Sequence, residues 1–238
     1  MHLRRPRARR GLRLFVTAPS LSTSIGEIVL HEYRVSLGAR TWSFLHTGAV
    51  LTLDEEQRFL RQETDRLPYG VMLWPASIAL AHEVLARAGE LEGKRVLELG
   101  AGTGVPGLVA ASLGARVLQT DRDDVALHVC AMNAERNRVV SVERRLADWE
   151  TFESDAPYDL ILGSDVLYAT SLHEHLRAIC ETSLAPGGRV LFSDPFREQS
   201  LVLLESMEAG GWRVSLTKWS IQLETGQRAI AVYELARG

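Results

Sequence analysis

Lysine is almost missing from this chain: Lys94 and Lys218 are the only two, so 25 of the 27 basic residues are arginine. That usage is typical of proteins from GC-rich bacterial genomes. Cysteine is nearly as scarce. Cys130 and Cys180 fall in predicted helices without metal-ligand spacing. This excludes a disulfide framework and leaves small buried apolar side chains in a reducing compartment. No apolar run approaches the roughly 20 residues that span a bilayer. No Lys-Ser or Lys-Thr follows a glycine cluster, which excludes a phosphate loop, and no Ser/His/Asp nucleophile arrangement stands out. The net charge of −3 makes no general case for nucleic acid. No repeat and no low-complexity segment occurs beyond the N-terminus.

Acidic residues are absent from the first 25 positions, which hold six arginines (Arg4, Arg5, Arg7, Arg9, Arg10, Arg13) with several Ser and Thr. Such a segment fits a disordered or over-extended N-terminus, an organelle transit peptide, or a basic contact arm. The first is favoured, and with it a cytoplasmic location; the transit-peptide reading would make the protein organellar. The remainder, 46% hydrophobic and 24% charged over the whole chain, suits a globular protein of one α/β domain with a modest extension.

What is present centres on Val96-Leu97-Glu98-Leu99-Gly100-Ala101-Gly102-Thr103-Gly104. An apolar run ending in an acid and then Gly-x-Gly-x-Gly reads as a buried parallel strand turning tightly into a helix over 107–113. The spacing differs from the Gly-x-Gly-x-x-Gly of dinucleotide binders, because position 105 is valine. Glu98 would repel a pyrophosphate and attract the ammonium of S-adenosylmethionine. Asp121 ends the next predicted strand, 115–120, where a carboxylate can accept hydrogen bonds from both ribose hydroxyls. A purely structural turn is the competing reading.

Along the rest of the chain, alternation over 27–37 and Arg40–His46 around Gly38-Ala39 predicts a β-hairpin. Asp54 caps a short helix running to about Asp65, and 76–88 reads as an amphipathic helix. Strands at 95–99, 115–120, 139–146, 158–163 and 188–193 alternate with helices at 107–113, 123–136, 171–183 and 198–209. Strands at 212–221 and 228–235 close the chain through a turn at Glu224-Thr225-Gly226. This alternation predicts an α/β doubly wound, mostly parallel seven-strand sheet with a C-terminal antiparallel hairpin, the class I methyltransferase architecture, plus an N-terminal hairpin and helix. The expected organisation is a basic extension over 1–25, a packed hairpin and helix over 26–72, and the main domain over 73–238. Ligands of such sheets sit at the carboxyl ends of the strands, where Gly100, Asp121, Asp148, Asp165 and Asp194 fall.

The chain resembles the family 16 group of seven-strand methyltransferases. The resemblance covers about residues 68–200 and rests on Leu73-Trp74-Pro75-Ala76, the glycine motif, Pro106-Gly107, Asp121, Ala147-Asp148-Trp149 and Ser164-Asp165-Val166-Leu167-Tyr168. Trp-Pro and Asp-x-x-Tyr are far more restrictive than the glycine motif. Characterised members mostly methylate lysines of other proteins, so the resemblance implies S-adenosylmethionine as cofactor and a protein substrate. It puts Trp74, Glu98, Gly100, Gly102, Gly104, Asp121, Asp148, Trp149 and Ser164 on the cofactor side and Asp165 and Tyr168 on the catalytic side. Trp74 can cover the methionine portion or simply pack at a helix entrance. Asp148 and Trp149 can give adenine an acceptor and an apolar wall. Asp165 can orient an incoming ammonium and Tyr168 guide its alkyl stem; the bland alternative is a strand cap and helix packing. Asp194-Pro195-Phe196-Arg197 is similar to the Asp-Pro-x-Arg of some members, including those resembling the electron-transfer-flavoprotein enzyme. There Asp194 and Arg197 would shape the substrate, although Phe196 replaces an expected small residue.

His173-Glu174-His175 invites a metal, but histidines two apart on a helix face opposite sides and His-Glu-x-x-His is absent. A solvated helix start is expected, and no metal. The expected partner is a protein substrate, with no nucleic acid or membrane, bound by a monomer. Two rivals remain: a small-molecule N-methyltransferase, disfavoured by the lack of a large enclosing insertion, and a cofactor-binding module without turnover, disfavoured by Asp165 with Tyr168.

Overall fold

A computed structural model describes residues 19–23, 26–48, 69–223 and 226–238. The helix expected over 54–65, most of the basic extension and residues 224–225 of the last turn lie outside the described residues.

Two short ribbons open the described chain. Strand β1 (Ser20–Thr23) pairs antiparallel with β2 (Gly26–Val29), and β3 (His31–Leu37) pairs with β4 (Arg40–His46). The single strand expected over 27–37 is therefore divided at Leu30. Its amide donates to Pro19 O at 2.8 Å, and its side chain is buried with Leu21, Leu45, Val71 and Val129. Alternation of side chains does not reveal a strand that changes partner. Residues 20–23, expected to belong to an irregular extension, are paired in β1.

Helix α1 (Pro75–Ala86) begins at Pro75, whose missing N–H costs nothing in a first turn. An amphipathic helix is predicted here, but Ile78, Ala79, Leu80, Ala81, Glu83 and Val84 are all buried. The reason is tertiary. The helix is covered by the sheet on one side and by neighbouring elements, including β3, on others.

The central units follow in order: β5 (Arg95–Leu99), α2 (Val105–Ser112), β6 (Arg116–Asp121), α3 (Asp124–Arg136), β7 (Val142–Leu146), β8 (Tyr158–Ser164), α4 (His173–Ser183), β9 (Leu184–Asp194), α5 (Glu198–Ala209), β10 (Trp212–Leu223) and β11 (Gly226–Arg237). Most expected elements occur within a few residues of their predicted bounds. Strand β7 starts later than residue 139, because the Val139 amide donates to Ala134 O at 2.8 Å and closes α3. Asp123 caps α3 by accepting from the Val125 amide, as capping chemistry predicts.

The seven-strand sheet has the order β7-β6-β5-β8-β9-β11-β10. Strands β5 to β9 run parallel, and β11 is antiparallel to both β9 and β10. The reversed strand is thus inserted next to the edge rather than closing it. Burial explains the choice: Ile230, Ala231, Val232 and Leu235 of β11 are buried, whereas most of β10 is exposed. Apolar layers cover both faces of the sheet. The strand order reverses at β5, so a crevice opens beyond the carboxyl ends of β5, β6 and β8.

Candidate functional site

A cleft of about 260 Å³ occupies that crevice. Its floor is the turn after β5, where Gly100, Gly102 and Gly104 all take left-handed backbone angles. Glycine is required at Gly102 because a Cβ would stand 2.7 Å from Gly70 O, and at Gly104 because it would meet Gln119 and Cys130 within 3 Å. Gly100 and Gly102 line the cleft, and Gly104 does not. Gly104, expected to meet the cofactor, instead lets α2 start against Gln119 and Cys130.

Glu98 also departs from expectation. It is buried and lies outside the cleft lining, accepting from the Gly107 amide at 3.0 Å and from Gln119 Nε2 at 2.7 Å. Burial pushes its carboxyl up to about 7, against the lowering effect of those donors. It cannot meet an ammonium in the cleft; it braces the turn from behind.

Asp121 faces the cleft and also ties its floor, accepting from the Gly102 amide at 2.9 Å and the Asp123 amide at 3.0 Å. Burial pushes its carboxyl above the usual range. Asp148 accepts from the Glu150 amide at 3.0 Å and starts a short helical turn that carries Trp149. Both residues line the cleft, with the Trp149 indole beside Gly100. Trp74, the residue before α1, also lines the cleft, as do Met72 and Gly70.

At the other end stand Ser164, Asp165, Tyr168, Leu172 and Arg197. Asp165 takes a left-handed backbone angle, φ +61°, with its amide donating to Ser193 O at 2.8 Å. Arg197 donates from one guanidinium nitrogen to Asp165 Oδ1 and to Asp194 Oδ2, the latter at 3.0 Å. The Arg197 amide donates to Asp194 Oδ1 at 2.6 Å. Two corrections follow. Asp165 is not a bare carboxylate waiting for an ammonium, because Arg197 is bound to it. Asp194 is fully buried and lies outside the cleft lining, so it acts on the site only through Arg197. Phe196, at φ +66° and 43% exposed, lies outside the lining as well.

The histidine pair is also corrected in part. His173 is buried, and its Nε2 hydrogen-bonds Leu167 O at 3.0 Å, bracing the turn that carries Asp165 and Tyr168. No cluster able to hold a metal occurs among the described residues. Gly70, Met72, Ser77, Arg122 and Leu172 also line the cleft, and none of them is an expected site residue. No motif or spacing marks these positions in the sequence. Cys130 and Cys180 are buried, as expected, and free.

The strand order, the inserted reversed strand and a cleft at the switch point define a class I methyltransferase fold. A precorrin-6y C5,15-methyltransferase from Geobacter metallireducens shares it, with a TM-score of 0.57 and 14% identity over 66% of this chain and 87% of that one. The family is narrower: the chain belongs to the lysine methyltransferase family, whose model matches residues 53–208. Protein N-lysine methyltransferase METTL21A of Danio rerio is 38% identical over 148 residues, covering 59% of this chain and 66% of that protein. Histone-arginine methyltransferase METTL23 of Xenopus laevis is 33% identical over 143 residues, covering 58% and 60%. The chain thus spans somewhat more than half the length of these relatives.

Proposed function

We propose that the protein transfers a methyl group from S-adenosylmethionine to a side-chain nitrogen of another protein, lysine first. The observation that carries this reading is the charge of one continuous cleft: Asp121, Asp123, Asp148 and Asp165 line it against Arg122 and Arg197. Four carboxylates against two guanidiniums suit a cationic sulfonium with an ammonium and repel phosphate. In this assignment Asp121 receives the ribose hydroxyls, Asp148 and Trp149 take the adenine, and Trp74, Ser164 and the glycine turn enclose the methionine portion. The cofactor supplies an electrophilic methyl on a positively charged sulfur.

The residues at the far end deal with the acceptor. A lysine must lose its proton before its lone pair can attack, at a cost of roughly 4–5 kcal/mol at pH 7 from about 1.36 kcal/mol per unit. Arg197 disfavours a second cation beside it, so the amine enters more readily neutral. Asp165, held by Arg197, can accept one hydrogen bond from that amine and aim it. Tyr168 offers a flat wall for the alkyl stem. Alignment supplies most of the rate in such a displacement.

The test is tritiated cofactor with lysate of the source organism, resolved on a gel before and after protease treatment. Label confined to protease-sensitive bands supports the reading, and label surviving protease as a small molecule defeats it. Acid hydrolysis of the labelled band separates methyl-lysine from methyl-arginine, the acceptor named for the METTL23 relative.

A further inference from the structure

Asn133 of α3 and Asn137, the residue that caps its C-terminus one turn later, grip the outer edge of β4. Asn137 Oδ1 accepts from the Ser43 amide at 3.0 Å, and its Nδ2 donates to Ser43 O at 2.7 Å. Asn133 repeats the pattern at Leu45, accepting from its amide at 2.6 Å and donating to its carbonyl at 3.1 Å. The spacing permits it: four helical residues rise about 6 Å, and two strand residues about 6.6 Å. The asparagine pair thus docks the β3–β4 ribbon much as another strand would.

Asn133 does one thing more. The second N–H of its amide donates to Thr103 O at 2.9 Å, in the middle of the glycine turn. Asn133 is completely buried, and Thr103 lines the cleft. The Thr103–Gly104 peptide is planar, so anchoring its oxygen orients the whole unit. Cys130, three residues earlier on the same helix face, donates its thiol to Gly102 O at 3.2 Å. One helix face therefore holds two successive carbonyls of the turn, and through Asn133 it holds the ribbon as well.

We propose that Asn133 is a positioning residue of the cofactor turn, and that docking of the β3–β4 ribbon and binding in the cleft strengthen each other through it. Linkage makes the coupling reciprocal. The inference rests on the reading that the cleft takes S-adenosylmethionine, and the probe is its demethylated product, S-adenosylhomocysteine, titrated calorimetrically. Absence of binding to the unaltered protein would defeat the cofactor reading itself, before any variant is compared.

With binding established, Asn133→Ala should raise the dissociation constant about tenfold, equivalent to roughly 1.4 kcal/mol. Asn137→Ala, which frees the same ribbon at Ser43 without touching the turn, should stay within about twofold. A purely structural Asn133 would lower the melting temperature and leave the affinity of the folded protein unchanged, which would overturn the proposal. Equal weakening by both variants would overturn the role of the Thr103 bond. If Asn133→Ala does not fold, hydrogen exchange on the unaltered protein decides. Saturating ligand should slow exchange at the Leu45 amide more than at the Ser43 amide, and equal exchange would overturn the coupling.

Discussion

At the end of the cleft assigned to the cofactor, the carboxylates are held by backbone amides, whereas at the end assigned to the acceptor two of them share one guanidinium. Asp121 and Asp148 accept from the amides of Gly102, Asp123 and Glu150. Asp165 and Asp194 share Arg197. Amides belong to almost every residue, so the bonds from the Asp123 and Glu150 amides survive replacement of those side chains. The second depends on one arginine for two buried charges, and a single replacement can undo it. The end assigned to the acceptor is therefore the fragile half.

The largest expected effect tests that fragility. Arg197→Met removes the guanidinium shared by two carboxylates whose side chains are 6% and 0% exposed, leaving Asp194 only the backbone amide of residue 197. Urea unfolding should show a loss of about 3–5 kcal/mol, the usual consequence of removing one partner of a buried pair. Retention of wild-type stability would mean that water reaches the pair. Asp165→Ala acts on turnover instead. Methyl transfer should fall about 10²-fold, roughly 2.7 kcal/mol, with product affinity within a few-fold; loss of product binding would move Asp165 to the cofactor end.

Asp121→Ala is the mirror experiment. It should weaken product binding by about 1.5–3 kcal/mol, the scale of a hydrogen bond to a charged group, and leave the acceptor KM unchanged. A change in acceptor KM alone would erase the distinction between the two ends.

The remaining test lies behind the floor. Glu98 has its carboxyl raised to about 7 from an ordinary 4.5, so between these values the folded state holds more protons than the unfolded one. Stability should then decline as pH rises through that window, by at most about 1.4 kcal/mol per unit for one proton. Glu98→Gln should flatten this slope in urea melts collected from pH 4.5 to 8. A slope left unchanged by Glu98→Gln would show that Glu98 ionises as readily in the fold as in the unfolded chain.

Legibility in the sequence followed the range of the interactions. The glycine turn and the strand–helix alternation are local, so spacing alone exposed them. The acid at 98 was recognised as important, yet its orientation was misread, because a strand-end side chain turns toward the ligand or away according to what packs behind it. Here Gln119 and the Gly107 amide supply the partners. The double role of Arg197 was hidden because Asp165 lies 32 positions earlier in the chain. His173 passed for a solvated residue because the Leu167 carbonyl that receives it comes from a turn without regular structure.

The sequence by itself determined the strand–helix alternation, the glycine turn and the set of chemically competent residues near it. Hydrophobic period, glycine conformational freedom and capping act over a few residues and need no tertiary information. The tertiary structure alone decided which of those residues face the cleft. It placed β11 inside β10, turned Glu98 and Asp194 away from the cleft, and clamped the N-terminal ribbon to the cofactor turn through Asn133. Each of these outcomes depends on burial and on hydrogen-bond partners brought together from distant segments, and no local pattern records which partner a buried polar group will find.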